Sequence, residues 1–208
     1  MSPIDISKLL SRYPIISDQV HRDELRVILS LLVESSQQYP DGNVVEFGCY
    51  IGTTSLFVRR VMNMTGAVGE FHVYDSFAGL PEKTARDDSP AGGQFVAGEL
   101  LASKKAFVTQ FKKSGLELPT VHKNWFHDLM PDDVPDKISF AFLDGDYYDS
   151  IWDSLRLITS KLLPGAVIVV DDYTNEALPG VAQAVDEWRR VYASRISVRA
   201  SLAIIHLV

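Results

Sequence analysis

Short apolar runs in this chain repeatedly stop on an acid. Phe71-His-Val-Tyr74 runs into Asp75, Ile138-Ser-Phe-Ala-Phe-Leu143 into Asp144, and Ala166-Val-Ile-Val-Val170 into Asp171 and Asp172. A fourth run, Asn43-Val-Val-Glu-Phe47, leads into Gly48. Runs of this length, bounded by turn residues, read as buried strands. Between them the apolar spacing is helical: Leu25, Ile28, Leu29, Leu32 and Val33 mark a helix over Asp18–Gln38. Further helices are expected over Thr53–Met64, Gly98–Ser114, Ser150–Leu163 and Gly180–Ala193, with a strand at Thr120–His122. Strands alternating with helices predict an α/β fold, a mostly parallel sheet covered on both faces. Two closing strands, Ile196–Arg199 and Ala203–Leu207, lie close enough for an antiparallel hairpin and bring the sheet to seven strands. Ligands in open α/β sheets bind at the carboxyl ends of the strands, so Asp75, Asp144, Asp171 and Asp172 should share one crevice.

Length and charge narrow the class. A chain of 208 residues suits one domain over residues 1–208, with 1–40 as an N-terminal helical segment and 76–97 as a lid loop. A net charge of −7 argues against a nucleic-acid partner, which needs clustered Lys and Arg. The basic doublets, Arg59-Arg60 among them, read as solvated helix faces. The single cysteine, Cys49, excludes an intramolecular disulfide framework and reads as a small packing residue in a glycine-rich turn. No leader-like h-region and no membrane-length apolar run is present, so the expected location is cytoplasmic, without a membrane partner.

Two motifs point to a nucleoside-bearing ligand. In Glu46-Phe-Gly48-Cys-Tyr-Ile-Gly52-Thr53, the glycines permit a tight turn and close approach of a ligand to backbone. The spacing is not the dinucleotide fingerprint, and without a diphosphate to cradle, Glu46 suits a cationic amine. Asp75, at the end of the second strand, is placed to accept from both hydroxyls of a ribose. Nicotinamide enzymes and methyltransferases share that arrangement; an N-cap aspartate is the structural alternative.

The acids Asp144, Asp146, Asp171 and Asp172 would repel one another in a dry crevice unless a cation offset them. Oxygen-only ligands suit Mg2+ or a similar hard ion. Consecutive acids on a regular strand face opposite ways, so Asp171 and Asp172 reach one ion only if the strand has ended there. A solvated acidic rim is the plainer reading. His127 could line the pocket; His72 reads as packed or edge-exposed, and His21, His122 and His206 as structural. Trp152 and Trp188 read as core, while Tyr148 and Tyr173 could orient the acids or touch substrate.

Taken in order, Glu46-x-Gly48-x-x-x-Gly52, Asp75-Ser76-Phe77-x-Gly79-Leu80-Pro81, Trp125-Phe126, Asp144-Gly145-Asp146-x-Tyr148 and Asp171-Asp172-Tyr173 resemble the macrocin O-methyltransferase family. The resemblance implies a Rossmann-like class I methyltransferase fold and methylation of a sugar or other natural-product hydroxyl by S-adenosylmethionine. It also implies roles. Asp144, Asp171 and Asp172 would hold Mg2+, and Asp146 would be the general base. Glu46, Gly48, Gly52, Thr53, Asp75, Ser76 and Asp144 would surround the donor, with Trp125 near its adenine. The partner implied is a small-molecule acceptor; a homodimer is compatible with the family, and the residues do not set the oligomeric state. Three alternatives stay open: a catechol- or caffeoyl-CoA-type O-methyltransferase, a nicotinamide oxidoreductase, and a donor-binding module without catalysis. Asp172 and Tyr147 stand where the catechol type usually has Asn and Lys, and the glycine spacing speaks against nicotinamide.

Overall fold

The computed structural model describes residues 4–207, so the leaderless reading of residues 1–3 lies outside them. Helices α1 (Ile6–Arg12) and α2 (Arg22–Gln38) precede strand β1 (Asn43–Phe47), and α3 (Thr53–Thr65) leads to β2 (Phe71–Asp75). A long irregular segment then reaches α4 (Lys104–Ser114) and β3 (Thr120–Lys123). The second half runs β4 (Ile138–Leu143), α5 (Tyr148–Ile158), β5 (Leu162–Val170), α6 (Pro179–Val191), β6 (Ser194–Arg199) and β7 (Leu202–Leu207).

The seven strands lie in the order β3-β2-β1-β4-β5-β7-β6. Pairs among β1 to β5 are parallel, and β7 is antiparallel to both β5 and β6. Strand order therefore reverses between β1 and β4, and the Gly48–Gly52 turn leaves the sheet at that point.

Residue parity sorts the core into two layers, because successive strand side chains face opposite ways. Val44, Phe140, Phe142, Val167 and Val169 pack with α1 to α4, whereas Val45, Phe47, Ala141, Leu143, Ile168 and Val170 pack with α5 and α6. All seven expected strands form, and the helices differ at their ends. The helix expected from Asp18 starts at Arg22, where the His21 amide donates to Glu24 Oε2 at 2.7 Å. The helix expected from Gly98 starts at Lys104, because Gly98 and Leu100 have φ of 82° and 56° and Ser103 caps the helix by accepting from the Ala106 amide. The helix expected over Ser150–Leu163 begins at Tyr148 and gives way to a 3-10 turn at Thr159, after which Leu162 opens β5.

Arg59 and Arg60 are not a solvated face. Both are buried: the Arg60 guanidinium lies 4.0 Å from the Tyr13 ring centroid, and Arg59 reaches Glu117 at 3.5 Å while lying over Phe71. Aromatic faces and a carboxylate offset the burial of charge that the doublet alone did not reveal.

Candidate active site

The carboxyl ends of β1, β2, β4 and β5 open into one crevice of about 830 Å³. Gly48 makes its geometry possible. With φ of 85°, a Cβ there would lie 1.8 Å from the Asp144 carbonyl, so only glycine lets the two strand ends meet. Gly52, at φ 94°, abuts the Phe107 ring, so its place is structural packing behind the turn. Asp75 faces the same turn: Oδ2 accepts from the amides of Cys49 (2.8 Å) and Tyr50 (3.2 Å), and Oδ1 from that of Phe77 (2.7 Å). Ser76 lines the crevice and accepts from the Ala78 amide. Trp125 and His127 line the wall beyond, stacked with centroids 6.3 Å apart. Cys49 is buried in the turn.

Glu46 lies beneath the turn on the β1 face that meets α3. It is 1% exposed, and neither carboxyl oxygen has a hydrogen-bond partner of good geometry. Burial pushes its pKa up to about 8; the Ser55 hydroxyl pulls the other way, and the Asp75 charge adds to the rise. A small cavity beside it is lined by Ser17, Gln19 and Thr53, and Thr53 Oγ1 lies 2.7 Å from Ser17 Oγ. The segment between α1 and α2 therefore closes this end of the crevice.

On the other side, one carboxylate oxygen from each of Asp144, Asp146 and Asp172 lies within 4.8 Å of the others. Burial raises all three pKa values. Asp144 rises well above the carboxylate range, with the charges of Asp171, Asp146 and Asp172 adding to the effect. Asp146 reaches about 7, with Asp172 and Asp75 contributing. The rise at Asp172 is opposed by a hydrogen bond from Asn175. β5 has ended at Val170, and Asp172 adopts φ of 57°, which turns it toward Asp144 and Asp146. Asp146 has φ of 60°; aspartate tolerates this left-handed region better than most residues. Asp171 takes a different environment: it is buried, and its Oδ1 accepts from the Asp172 amide at 2.8 Å and lies 3.4 Å from Ser201 Oγ.

Several lining residues escaped the sequence reading. Asp18, Gln19 and Glu24, with His21, which was expected to be structural, come from the start of α2 and the segment before it, and Ser201 comes from the β6–β7 turn. The glutamate three residues past His21 was the available signal for that helix start. Tyr148 and Tyr173 donate to Glu187 (2.6 Å) and Asp186 (3.0 Å) of α6, tying the acid-bearing loops to that helix. His72 packs against His122 at 3.1 Å and Glu70 at 2.8 Å, remote from the acids, and His206 lies in β7. Trp188 is core, and Trp152 stacks on Tyr148.

A family model described as Macrocin-O-methyltransferase (TylF) matches residues 20–200. The chain belongs to the macrocin-O-methyltransferase (TylF) family. Among family relatives, it is 31% identical over 159 residues to the 8-demethyl-8-(2,3-dimethoxy-alpha-L-rhamnosyl)-tetracenomycin-C 4'-O-methyltransferase of Streptomyces olivaceus, covering 73% of this chain and 59% of that protein. It is 29% identical over 157 residues to the mycinamicin III 3''-O-methyltransferase of Micromonospora griseorubida, covering 71% and 60%. The chain thus spans about three fifths of the length of the curated relatives it matches. The solved O-methyltransferase NovP superposes with a TM-score of 0.74 at 25% identity, covering 89% of this chain and 79% of that one. Among the described residues, no helix is long and apolar enough to cross a membrane.

Proposed function

We propose that this chain transfers a methyl group from S-adenosylmethionine to a hydroxyl on the sugar of a small-molecule natural product. The observation that carries this reading is one crevice shared by the Gly48 turn with Asp75 and by the cluster of Asp144, Asp146 and Asp172. The acceptor class follows from relatives whose names specify methylation of a rhamnosyl tetracenomycin and of mycinamicin III.

On this reading Gly48 lets the donor lie against backbone, Asp75 and Ser76 face its ribose, and Trp125 flanks its adenine. Asp75 already accepts from backbone amides, so ribose hydroxyls must share a carboxylate that also holds the turn. Glu46 answers the donor's ammonium group, whose charge favours the ionised carboxylate that burial opposes.

Half-buried carboxylates converging through oxygen alone fit a hard divalent ion such as Mg2+, with Asp144 and Asp172 of that group as its holders, while Asp171, whose Oδ1 accepts from the Asp172 amide, stands outside the group. When bound, such an ion supplies Lewis acidity that lowers the pKa of the acceptor hydroxyl. Asp146 takes the proton as the acceptor oxygen attacks the methyl carbon. The C–O bond forms while the C–S bond breaks, and its electron pair returns to sulfur, leaving a neutral thioether.

The test is methyl transfer from S-adenosylmethionine to glycosylated natural products carrying free sugar hydroxyls, with catechols as the contrasting acceptors. Asp146→Asn is expected to keep donor binding and lose about 10²–10⁴-fold in rate. Asp144→Asn should mainly raise the Mg2+ concentration needed. Absence of donor binding in the unmodified chain, or full activity in Asp146→Asn, sinks the reading.

A further inference from the structure

The segment between β2 and α4 carries a buried acid, Asp87, that is only 1% exposed. Its Oδ1 accepts from the amide of Tyr148, the first residue of α5, at 2.7 Å. Its Oδ2 accepts from Thr84 Oγ1 at 2.8 Å and from the Thr84 amide at 3.2 Å. The same Oδ1 abuts α6, where a Cβ on Gly180 would lie 2.0 Å from it. One carboxylate is therefore wedged between the first turns of two helices, where unpaired amides and helix dipoles favour negative charge. Nearby contacts reinforce the docking. Ser89 Oγ donates to the Glu176 carbonyl at 2.6 Å, and Gly92 sits so close to Ala177 that a Cβ would lie 2.4 Å from its carbonyl oxygen.

We propose that Asp87 is a positioning residue that makes docking of this segment and alignment of Asp146 one event. The proposal rests on the reading of Asp146 as the proton acceptor. The loop carrying Asp146 is fixed at both ends by hydrogen bonds. Upstream, the Asp144 amide donates to the Phe47 carbonyl at 2.8 Å, which is a sheet contact. Downstream, the next external hold on the backbone is the Tyr148 amide on Asp87. Between them Asp146 sits at φ 60°, followed by a tight contact from the Tyr147 amide to the Gly145 carbonyl. When Asp87 withdraws, the loop keeps its sheet anchor and the Tyr148 hydroxyl's bond to Glu187, and loses its downstream backbone hold. Displacement of a catalytic group by about 1 Å costs on the order of 10²-fold in rate. Pro81, Glu82 and Thr84 of the same segment line the crevice, so the group that shapes its wall also sets the base.

The experiment compares Asp87→Ala and Asp87→Asn in the 208-residue chain. It measures donor affinity, kcat and KM at saturating donor with Mg2+, melting temperature, and amide hydrogen exchange. Asp87→Ala is expected to leave donor affinity unchanged and lower kcat by up to about 10²-fold. Exchange should quicken in residues 82–93 and 145–150 together. Asp87→Asn retains an oxygen for the Tyr148 amide and should recover most of the rate. Two outcomes overturn the proposal. One is an equal loss of melting temperature in both variants with kcat per folded molecule unchanged; the other is faster exchange confined to residues 82–93. If Asp87→Ala does not fold, Thr84→Ala, which removes the hydroxyl bond to Asp87, decides by the same exchange pattern. The exchange measurement needs no acceptor, so it stands even if the unmodified chain methylates nothing, an outcome that counts against the proposed function instead.

Discussion

Glu46 shows how much one carboxylate's chemistry depends on which face of a strand it occupies. As an acid after Val44 and Val45, it reads from sequence as suited to a cationic ligand. Its near-neutral poise does not read there, because that follows from parity: residue 46 shares the face of Val44, under α3, while Phe47 faces α5 and α6. The folded-state pKa of about 8 lies above the ordinary 4.5, so folding favours the protonated form. Its contribution to stability is fully present below about pH 4.5 and is lost as pH rises through about 8. Glu46→Gln should therefore flatten this part of the melting-temperature profile of donor-free protein and make it more stable than the parent at pH 8. An unchanged slope in the glutamine variant would show that other acids set it. The arginines at 59 and 60 teach the same lesson from the opposite charge. Their burial depends on Tyr13 and Phe71, which lie outside α3 and which the doublet itself does not announce.

Among the elements, strands were the most legible, since an apolar run ending in an acid admits few other placements. Helix starts were less so. Gly98-Glu-Leu-Leu-Ala-Ser103 has the apolar content of a helix, yet backbone at Gly98 and Leu100 turns left-handed and Ser103 begins the helix instead. The four acids were legible as neighbours; that Asp146, and not Asp171, converges with Asp144 and Asp172 was not. Which of Asp171 and Asp172 turns toward Asp144 depends on a backbone angle past the strand end. The joint between α3 and α4 offers a direct check on packing. A Cβ at Gly52 would lie 2.9 Å from the Phe107 ring, at a backbone angle that penalises any side chain. Gly52→Ala should cost about 1–3 kcal/mol from overpacking alone. Trimming the ring in Phe107→Leu should reduce that cost, and strictly additive losses in denaturant titrations would place the strain elsewhere.

At the scale of the molecule, the sheet divides the crevice into a glycine-turn side on β1 and β2 and an acidic side on β4 and β5, joined where Gly48 meets Asp144. On the proposed reading, a bound cation would relieve the mutual repulsion among the acids and so stabilise the fold. Chelation should lower both turnover and melting temperature, and Mg2+ should restore them, reaching about 2.7 kcal/mol of stabilisation at a hundred times its dissociation constant. A melting temperature indifferent to millimolar Mg2+ and to chelator would remove the cation from the account. The C-terminal hairpin reaches back to the beginning of the chain: Ser201 Oγ donates to Glu24 Oε1 at 2.6 Å, across 177 residues, and lies beside Asp171. Since a ribosome delivers residues in order, Glu24 waits for this partner until 177 further residues have been added. The strands that hold the turn around Gly48 can pair well before then, but the floor of the acidic side is sealed only when the turn between the last two strands has emerged.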